Sequence, residues 1–142
     1  MKIYLDNCCF NRPFDDQFQL RIRLESEAKL KIQEDIRAGI YELVWSYVLD
    51  YENSRNPFEE RKKQISKWRH YANDDIIESA KLIEIANSIL STGAKKMDSL
   101  HIASAIAANS DYFLTTDDGI MKRAALIQDV NITDPIGFIF HS

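Results

Sequence analysis

Residues 2–6 read Lys-Ile-Tyr-Leu-Asp, a short β-prone run that ends at an aspartate. Residues 112–117, Tyr-Phe-Leu-Thr-Thr-Asp, show the same arrangement towards the other end of the chain. Both runs are predicted strands that end at turn-prone polar residues. In open α/β sheets, ligands gather outside the carboxyl ends of the strands. Asp6 and Asp117 are therefore the first candidate functional residues.

Helical and β-prone segments alternate between and around these two runs. Residues 18–40 carry apolar side chains at i, i+4 spacing up to Gly39, and a pattern of some twenty residues is too long for a strand, so a helix is predicted. Further strands are predicted at 41–45 and 130–132, and further helices at 47–53, 58–72, 76–90, 98–108 and 120–126. This alternation predicts one α/β domain over residues 1–142, with a mainly parallel sheet covered on both faces.

Polar side chains mark where these helices are expected to begin. A loop over residues 10–16 is predicted to lead into the first long helix, and the other starts are assigned by capping preference. The expected capping groups are Asp15 or Asp16 for the helix at 18–40, Ser46 for 47–53, Asp75 with Glu78 for 76–90, and Asp98 for 98–108.

Charge and composition exclude several classes of protein. With 18 Lys and Arg against 22 Asp and Glu, the net charge is −4, so the whole surface cannot act as a broad cationic face for nucleic acid. A hydrophobic content of 45% excludes intrinsic disorder. The apolar stretches fall short of the ~18 residues of a membrane span, and the chain reaches Asp6 before a secretory signal could form. We expect a cytoplasmic protein with no membrane partner.

The cysteines and histidines do not predict a zinc site or a disulfide framework. Cys8 and Cys9 are adjacent, and neighbouring residues rarely reach disulfide geometry. The three histidines, His70, His101 and His141, are scattered along the chain. Buried apolar packing of the two cysteines is favoured over metal binding.

Carboxylates gathered at one sheet edge would repel one another. At an effective dielectric constant near 20, two unit charges ~4 Å apart cost about 4 kcal/mol, so such a cluster needs protons or a cation. Oxygen ligands without Cys or His favour hard ions such as Mg²⁺ or Mn²⁺. Each carboxylate also has a structural interpretation: Asp6 can close a turn, Asp98, Asp117 or Asp118 can cap a helix, and Glu52 can be a solvated helix residue.

Five segments in a fixed order carry a family resemblance that spans nearly the whole chain. They are residues 3–6 (Ile-Tyr-Leu-Asp), Ser46-x5-Glu52, residues 98–105 (Asp-Ser-Leu-His-Ile-Ala-Ser-Ala), residues 113–117 (Phe-Leu-Thr-Thr-Asp) and residues 130–135 (Val-Asn-Ile-Thr-Asp-Pro). In this order the chain resembles the PIN-domain nucleases, particularly the small toxins of VapBC-type toxin–antitoxin pairs. The resemblance implies a PIN-like three-layer α/β/α fold with a mainly parallel central sheet.

The same resemblance implies a site and a reaction. Carried over by position, four acids would bind one or two Mg²⁺ or Mn²⁺ ions and form the catalytic cluster: Asp6, Glu52, Asp98 and Asp117. Thr115 or Thr116 would be a supporting polar group. The family's reaction is metal-dependent hydrolysis of RNA phosphodiester bonds, without a covalent enzyme intermediate. The family further implies a cognate antitoxin protein as a partner, and it frequently forms homodimers.

Alternatives remain open among the acids. Asp50 lies two residues before Glu52, so either can be the second acid, and Glu42 is a more distant candidate. Asp118 competes in the same way with Asp117. The choice within each pair depends on which side of a helix or turn faces the sheet edge.

Basic residues and one histidine have two interpretations each. Arg12 can contact phosphate or tie down its own loop, and the basic stretch 61–69 can bind RNA or form a solvated helix face balanced by Glu59 and Glu60. Lys95 and Lys96, just before Asp98, are placed to meet a phosphate. His101, three residues after Asp98, can join the site or act as a core or supporting histidine.

Two other functions compete with a ribonuclease. A catalytically silent PIN-like fold would serve as an RNA-binding or protein-interaction module. A phosphatase would use Asp6 as its nucleophile, but Asn7-Cys8 follow it, without the second acid two positions on that haloacid-dehalogenase-like phosphatases usually carry. We therefore interpret the chain as a metal-dependent ribonuclease and as the toxin of a toxin–antitoxin pair.

Overall fold

The fold is built on a five-stranded sheet in which every paired strand is parallel. The computed structural model describes residues 1–141. The strands are β1 (Lys2–Leu5), β2 (Glu42–Ser46), β3 (Ala72–Ile76), β4 (Tyr112–Leu114) and β5 (Asn131–Thr133), in the order β3-β2-β1-β4-β5. Because parallel neighbours need crossover connections, helices flank the sheet, as the sequence predicts. The predicted α/β class with a mainly parallel central sheet is confirmed.

Eight helices connect or follow the strands within the described residues. They are α1 (Asn7–Asn11), α2 (Leu20–Arg37), α3 (Tyr47–Ser54), α4 (Glu59–Ser66), α5 (Ala80–Leu90), α6 (Lys96–Ala107), α7 (Asp118–Met121) and α8 (Pro135–His141). Short 3-10 turns cover Arg12–Phe14, Lys67–Tyr71 and Ala124–Leu126. The helix α2 packs against α8, and α5 packs against α6. No helix in the described part of the chain has both the length and the apolar character to cross a membrane.

The central strand carries the core and fixes the site-bearing edge. Ile3, Tyr4 and Leu5 are completely buried, since a middle strand of a parallel sheet is covered on both faces. Leu5 pairs with Leu114 of β4, and Tyr4 pairs with Val44 of β2. The carboxyl ends of β1, β2 and β4 therefore lie side by side.

Several local predictions are confirmed. Ser46 caps α3, its hydroxyl accepting a hydrogen bond from the Leu49 amide at 3.2 Å. Gly39, the predicted end of the first long helix, follows α2 with a φ of +78°, a left-handed backbone that glycine adopts without steric cost.

The strand β3 was not predicted, and the start of the following helix was predicted wrongly. Residues 72–76 read Ala-Asn-Asp-Asp-Ile, a polar sequence that is tolerated because β3 is an edge strand paired only with β2. Asp75 consequently lies in β3, and it does not form a capping box with Glu78. Ser79 caps α5 instead, accepting from the Leu82 amide at 3.1 Å.

Three further helix assignments differ from the structure. The Asp6 side chain caps α1, a five-residue helix inside the region predicted as strand end and loop. The helix α2 begins after Gln19 without a side-chain cap, so neither Asp15 nor Asp16 caps it. Asp98 lies inside the first turn of α6, which begins at Lys96, and therefore does not open that helix.

The segment after β5, where no helix was predicted, forms α8. Pro135 takes the first helical position, where its missing N–H is not needed, and Asp134 accepts from the Gly137 amide at 2.6 Å. Phe138 is completely buried against Tyr41 and Tyr112. This aromatic packing explains why a short segment is helical.

Candidate active site at the carboxyl edge of the sheet

The four expected site acids come from four different elements. Asp6 directly follows β1, Asp117 lies three residues after β4, Glu52 is on α3 and Asp98 is in the first turn of α6. The crossover topology brings α3 and α6 to the edge where β1 and β4 end. The site is therefore assembled from residues that are up to 111 positions apart, 117 minus 6.

Asp6 is buried and fully engaged by donors. Its Oδ1 accepts a hydrogen bond from the backbone N–H of Asn7 at 2.8 Å. Its Oδ2 accepts from the Thr115 hydroxyl at 2.9 Å and from the Cys8 thiol at 3.4 Å. Thr115 is thus the supporting polar group on Asp6, whereas Thr116 receives no such contact within the described residues. Cys9 packs in the core, and burial raises the pKa of its thiol well above the usual range.

His101 contacts Glu52 in the interior and extends the acidic cluster. Its Nε2 is hydrogen-bonded to Glu52 and lies 3.8 Å from Asp6 Oδ1. Its Nδ1 is 2.6 Å from the Tyr4 hydroxyl, which is in turn 2.6 Å from the Ser46 hydroxyl. Tyr4, Ser46 and His101 are all completely buried.

Burial and nearby carboxylates act in opposite directions on the pKa of His101. Burial lowers the pKa, but the hydrogen bond with Glu52 and the charges of Asp6, Glu52 and Asp98 outweigh it, so the pKa is raised overall. Burial raises the pKa of Tyr4 well above its usual range, and its hydroxyl stays protonated. The sequence offered one signal for this contact, since a buried tyrosine in a central strand needs a hydrogen-bond partner.

Asp98 is the acid whose ionisation is most disturbed. It is half-buried, and burial together with the negative charges of Asp6 and Asp117 raises its pKa to about 6. The Lys95 ammonium and His101 lower the pKa by less than these effects raise it. Asp98, Asp117 and Lys95 line one cavity of about 130 Å³. Asp98 is therefore close enough to both aspartates to be repelled by them.

Asp117 and Asp118 are separated by the turn they share. Asp117 faces the cavity and caps α7, its Oδ1 accepting from the Gly119 amide at 2.7 Å. Asp118 is exposed and forms an ion pair with Arg21 at 2.8 Å. Arg21 lowers the pKa of Asp118, first through the hydrogen bond and then through its charge.

Asp50 and Glu42 lie apart from the cluster that contains Glu52. Asp50 accepts a hydrogen bond from the Trp45 indole at 2.9 Å and faces Arg69 at 3.7 Å. Glu42 opens β2 at the opposite end of the sheet from the candidate site. Only Glu52 of these three contacts His101 within the described residues.

The basic residues are largely engaged in structural contacts. Arg12 pairs with Glu25 at 3.1 Å and with Asp15 at 3.2 Å, which ties down its loop. Arg61 also pairs with Asp15, at 3.2 Å, and its guanidinium lies 4.4 Å from the Phe58 ring centre.

The remaining basic residues differ in their distance from the acids. Arg69 pairs with Asp75 at 2.9 Å, so the partners of the basic stretch are aspartates rather than the expected Glu59 and Glu60. Lys95 shares the cavity of Asp98, while Lys96 lines a different groove with Tyr47 and Tyr51.

The donor set fits a divalent cation. One ligand atom from each of Asp6, Glu52 and His101 lies within 4.8 Å of the others. A cation here would also neutralise the repulsion that raises the pKa of Asp98. Carboxylate oxygens predominate in the set, which favours hard ions.

Comparison with known proteins gives the fold but no sequence relative. No family model and no curated protein matches the sequence. A chain in the crystal structure of VapBC2 from Rickettsia felis, bound to a DNA fragment from their promoter, matches with a TM-score of 0.57 at 15% identity. The match covers 94% of this chain and 98% of that chain. A chain of VapBC-1 from nontypeable Haemophilus influenzae matches equally, with a TM-score of 0.57, 14% identity, and coverage of 95% and 98%.

Proposed function

We propose that residues 1–142 act as a single PIN-like domain and as a metal-dependent ribonuclease that hydrolyses RNA phosphodiester bonds. The observation that carries the proposal is that Asp6 lies close to Glu52 on one side and to Asp98 on the other, where burial and the charges of Asp6 and Asp117 raise the pKa of Asp98 to about 6. A fold rarely keeps mutually repelling carboxylates without a cation or a reaction that uses them.

Asp6, Glu52, Asp98 and Asp117 would hold one or two Mg²⁺ or Mn²⁺ ions, and these four acids are the proposed catalytic residues. Bound ions would supply an activated water and stabilise charge on the attacking and leaving oxygens of phosphorus. Among the chain's own groups, Thr115 and the Asn7 amide fix the Asp6 carboxylate, and the Gly119 amide fixes Asp117. These contacts orient two of the acids before any ion binds.

A groove beside the cluster supports binding of a phosphodiester strand. It has a volume of about 330 Å³, and its lining includes Glu52, Asn7, Arg55, Phe58 and Arg61. Arg61 is held in place by Asp15 and by the Phe14 carbonyl at 2.7 Å, and Arg55 by the Tyr51 hydroxyl at 2.7 Å. Guanidinium groups next to an acidic centre can receive the phosphates that the carboxylates would otherwise repel.

The structural likeness to chains of two VapBC complexes supports a role as the toxin of a toxin–antitoxin pair. The partners proposed with this role are an RNA substrate, a cognate antitoxin protein and a second copy of the chain as a homodimer. The proposed location is the cytoplasm, where RNA substrates are found.

Three conservative variants test the nuclease proposal. Asp6→Asn, Asp98→Asn and Asp117→Asn each replace a carboxylate with an amide of the same size, and Asn keeps the oxygen that caps α1 at position 6 and α7 at position 117. We expect each variant to lose RNA cleavage in the presence of Mn²⁺ and to keep a folded circular-dichroism spectrum. The matched control is Asp118→Asn, which changes the neighbouring exposed acid. Unchanged cleavage in any two of the three variants would contradict the proposed site.

A folded wild-type protein that neither binds Mn²⁺ nor cleaves RNA would favour the alternative function. In that case the same PIN-like fold would serve as a catalytically silent RNA-binding or protein-interaction module. Binding of RNA without cleavage would distinguish the RNA-binding form from the protein-interaction form.

A further inference from the structure

We infer that His101 is a positioning residue that donates its Nε2–H to Glu52 and does not ligate an ion. The inference concerns a hydrogen-bond chain that we define as Ser46, Tyr4, His101 and Glu52, in that order. It rests on the proposed function in that Glu52 is taken to be a metal ligand, whereas the direction of the hydrogen bonds follows from the donors and acceptors alone.

The direction of donation along the hydrogen-bond chain is set first at Ser46. Its hydroxyl oxygen already accepts the Leu49 amide, as the cap of α3, at 3.2 Å. The hydroxyl proton therefore needs an acceptor, and within residues 1–141 the Tyr4 oxygen at 2.6 Å is its remaining hydrogen-bond partner. Ser46 accordingly donates to Tyr4.

Tyr4 is then the donor in its hydrogen bond with His101. Its oxygen accepts from Ser46, so its own proton is free to be donated to His101 Nδ1 at 2.6 Å. A ring nitrogen that accepts a hydrogen bond carries no proton, so a neutral imidazole must carry its proton on Nε2. The Nε2–H points at Glu52.

The Glu52 end of the chain gives the same answer independently. An ionised carboxylate can only accept hydrogen bonds, so its partner Nε2 must be the donor. A doubly protonated His101 would also carry a proton on Nε2. The reverse direction would set the Nε2 lone pair against the Glu52 carboxylate and leave the Ser46 proton without an acceptor, at a buried position where unpaired polar groups are costly.

The consequence concerns how the proposed ions are held. A histidine that ligates a metal must present an unprotonated nitrogen to it. Both ring nitrogens of His101 are already committed, Nδ1 to Tyr4 and Nε2 to Glu52. The ligand atoms of a bound ion are then oxygens alone. His101 holds one oxygen of the Glu52 carboxylate and leaves the other free.

The protonated ring nitrogen can be observed directly. In protein labelled with ¹⁵N-histidine, a two-bond ¹H–¹⁵N spectrum shows which nitrogen of His101 carries the proton, and His101→Gln identifies its signals among the three histidines. We expect Nε2–H in the metal-free protein and the same form after saturation with Mg²⁺. A metal-free ring protonated only on Nδ1, or loss of the Nε2 proton on addition of Mg²⁺, would overturn the inference.

A second measurement compares two tyrosines that differ in their partners. Tyr4→Phe removes the donor to Nδ1, whereas Tyr47→Phe removes a hydroxyl that has no hydrogen-bond partner within the described residues. Loss of an orienting partner typically weakens metal binding by about 10- to 100-fold. We expect a loss of that size in Mn²⁺ affinity for Tyr4→Phe and no change for Tyr47→Phe. Equal affinities in both variants would contradict the positioning role.

Two further variants of His101 keep the inference testable if Tyr4→Phe does not fold. Gln can donate an amide hydrogen from a position close to that of Nε2, whereas Leu cannot. We expect His101→Gln to retain more Mn²⁺ affinity than His101→Leu, and equal losses would indicate that His101 ligates the ion. If wild-type protein binds neither Mn²⁺ nor Mg²⁺, the proposed function fails, and the metal-free spectrum still decides the direction of the hydrogen-bond chain.

Discussion

The two sides of the candidate site treat their carboxylates differently. On one side, which we call the paired side, Asp6 accepts from Thr115 and the Asn7 amide, and Glu52 is hydrogen-bonded to His101. On the other side, the open side, Asp98 and Asp117 line a cavity of about 130 Å³, and no donor within residues 1–141 is hydrogen-bonded to the Asp98 carboxylate.

The fold alone orients the carboxylates of the paired side, whereas the charges of the open side need a cation to compensate them. The paired side has its geometry fixed by the fold without any ion, because each buried acceptor has a donor. On the open side, burial and the negative charges of Asp6 and Asp117 raise the pKa of Asp98 to about 6. We therefore expect a cation to matter most for the stability of the open side.

The largest expected effect is on catalysis, and it is the same for both sides. Asp98→Asn and Glu52→Gln each remove a proposed ligand charge, and we expect RNA cleavage to fall by at least about 100-fold in either variant, more than the usual effect of an orienting partner. Single-turnover cleavage at saturating Mn²⁺ is the measurement. Full activity in one variant would remove that side from the site.

In the metal-free protein, we expect substitutions on the two sides to change the unfolding free energy in opposite directions. Asp98→Asn relieves repulsion, and because solvent screens a half-buried carboxylate, we expect unfolding free energy to rise by only about 1 kcal/mol. Glu52→Gln replaces a charged acceptor of His101 with a neutral one and should lower it by about 1 kcal/mol. Urea denaturation in a chelator measures both, and a large fall for Asp98→Asn would indicate a structural role.

The pH dependence of metal-free stability should carry the signature of Asp98. Since its folded pKa of about 6 lies above the ordinary aspartate pKa of 3.8, the folded state binds the proton more tightly than the unfolded state. The resulting stabilisation is complete below pH 3.8 and is lost as pH rises through 6. We expect this component to be absent from Asp98→Asn in a comparison of urea midpoints between pH 4 and 7. An identical dependence in both proteins would contradict the repulsion.

The sequence predicted the elements that bury apolar strands and missed those that depend on tertiary contacts. The runs at β1 and β4, the cap at Ser46 and the helix ending before Gly39 could all be inferred locally. The polar strand β3 is stable only because β2 offers it an edge, and α8 only because Phe138 enters the core. Local preference contains neither fact.

The candidate site was predictable in its acids but not in its contacts. Asp6 and Asp117 follow predicted strands, so their convergence could be expected from parallel topology. The choice of Glu52 over Asp50 in contact with His101 depends on how α3 is rotated against α6, which spacing does not encode. The hydrogen bonds of Tyr4 likewise depend on the contact of β1 with β2 and α6, which carry Ser46 and His101.

A smaller effect on metal-free stability is expected from the capping of α7 by Asp117. Both Asn and Asp cap helices well, so Asp117→Asn should leave metal-free stability within about 0.5 kcal/mol, while Asp117→Ala should lose about 1 kcal/mol. Thermal unfolding in a chelator measures the difference between the two variants. Equal losses would indicate that the capping hydrogen bond to the Gly119 amide contributes little.

The smallest effect is expected just outside the open side. Asp118 is exposed and paired with Arg21, and such surface ion pairs contribute little to stability because solvent screens them. Asp118→Asn should therefore keep full cleavage activity and nearly unchanged stability. Loss of cleavage in this variant, with Asp117→Asn active, would exchange the roles of the two neighbours.

The acids of the paired side and the open side are proposed to bind a divalent cation together at the carboxyl edge of the sheet. A calorimetric titration of Mn²⁺ into wild-type protein and into Asp98→Asn tests it without knowledge of the RNA target. We predict saturable binding to wild type that is lost in a folded Asp98→Asn variant. Equal binding to both proteins, or no binding to folded wild type, would contradict the account.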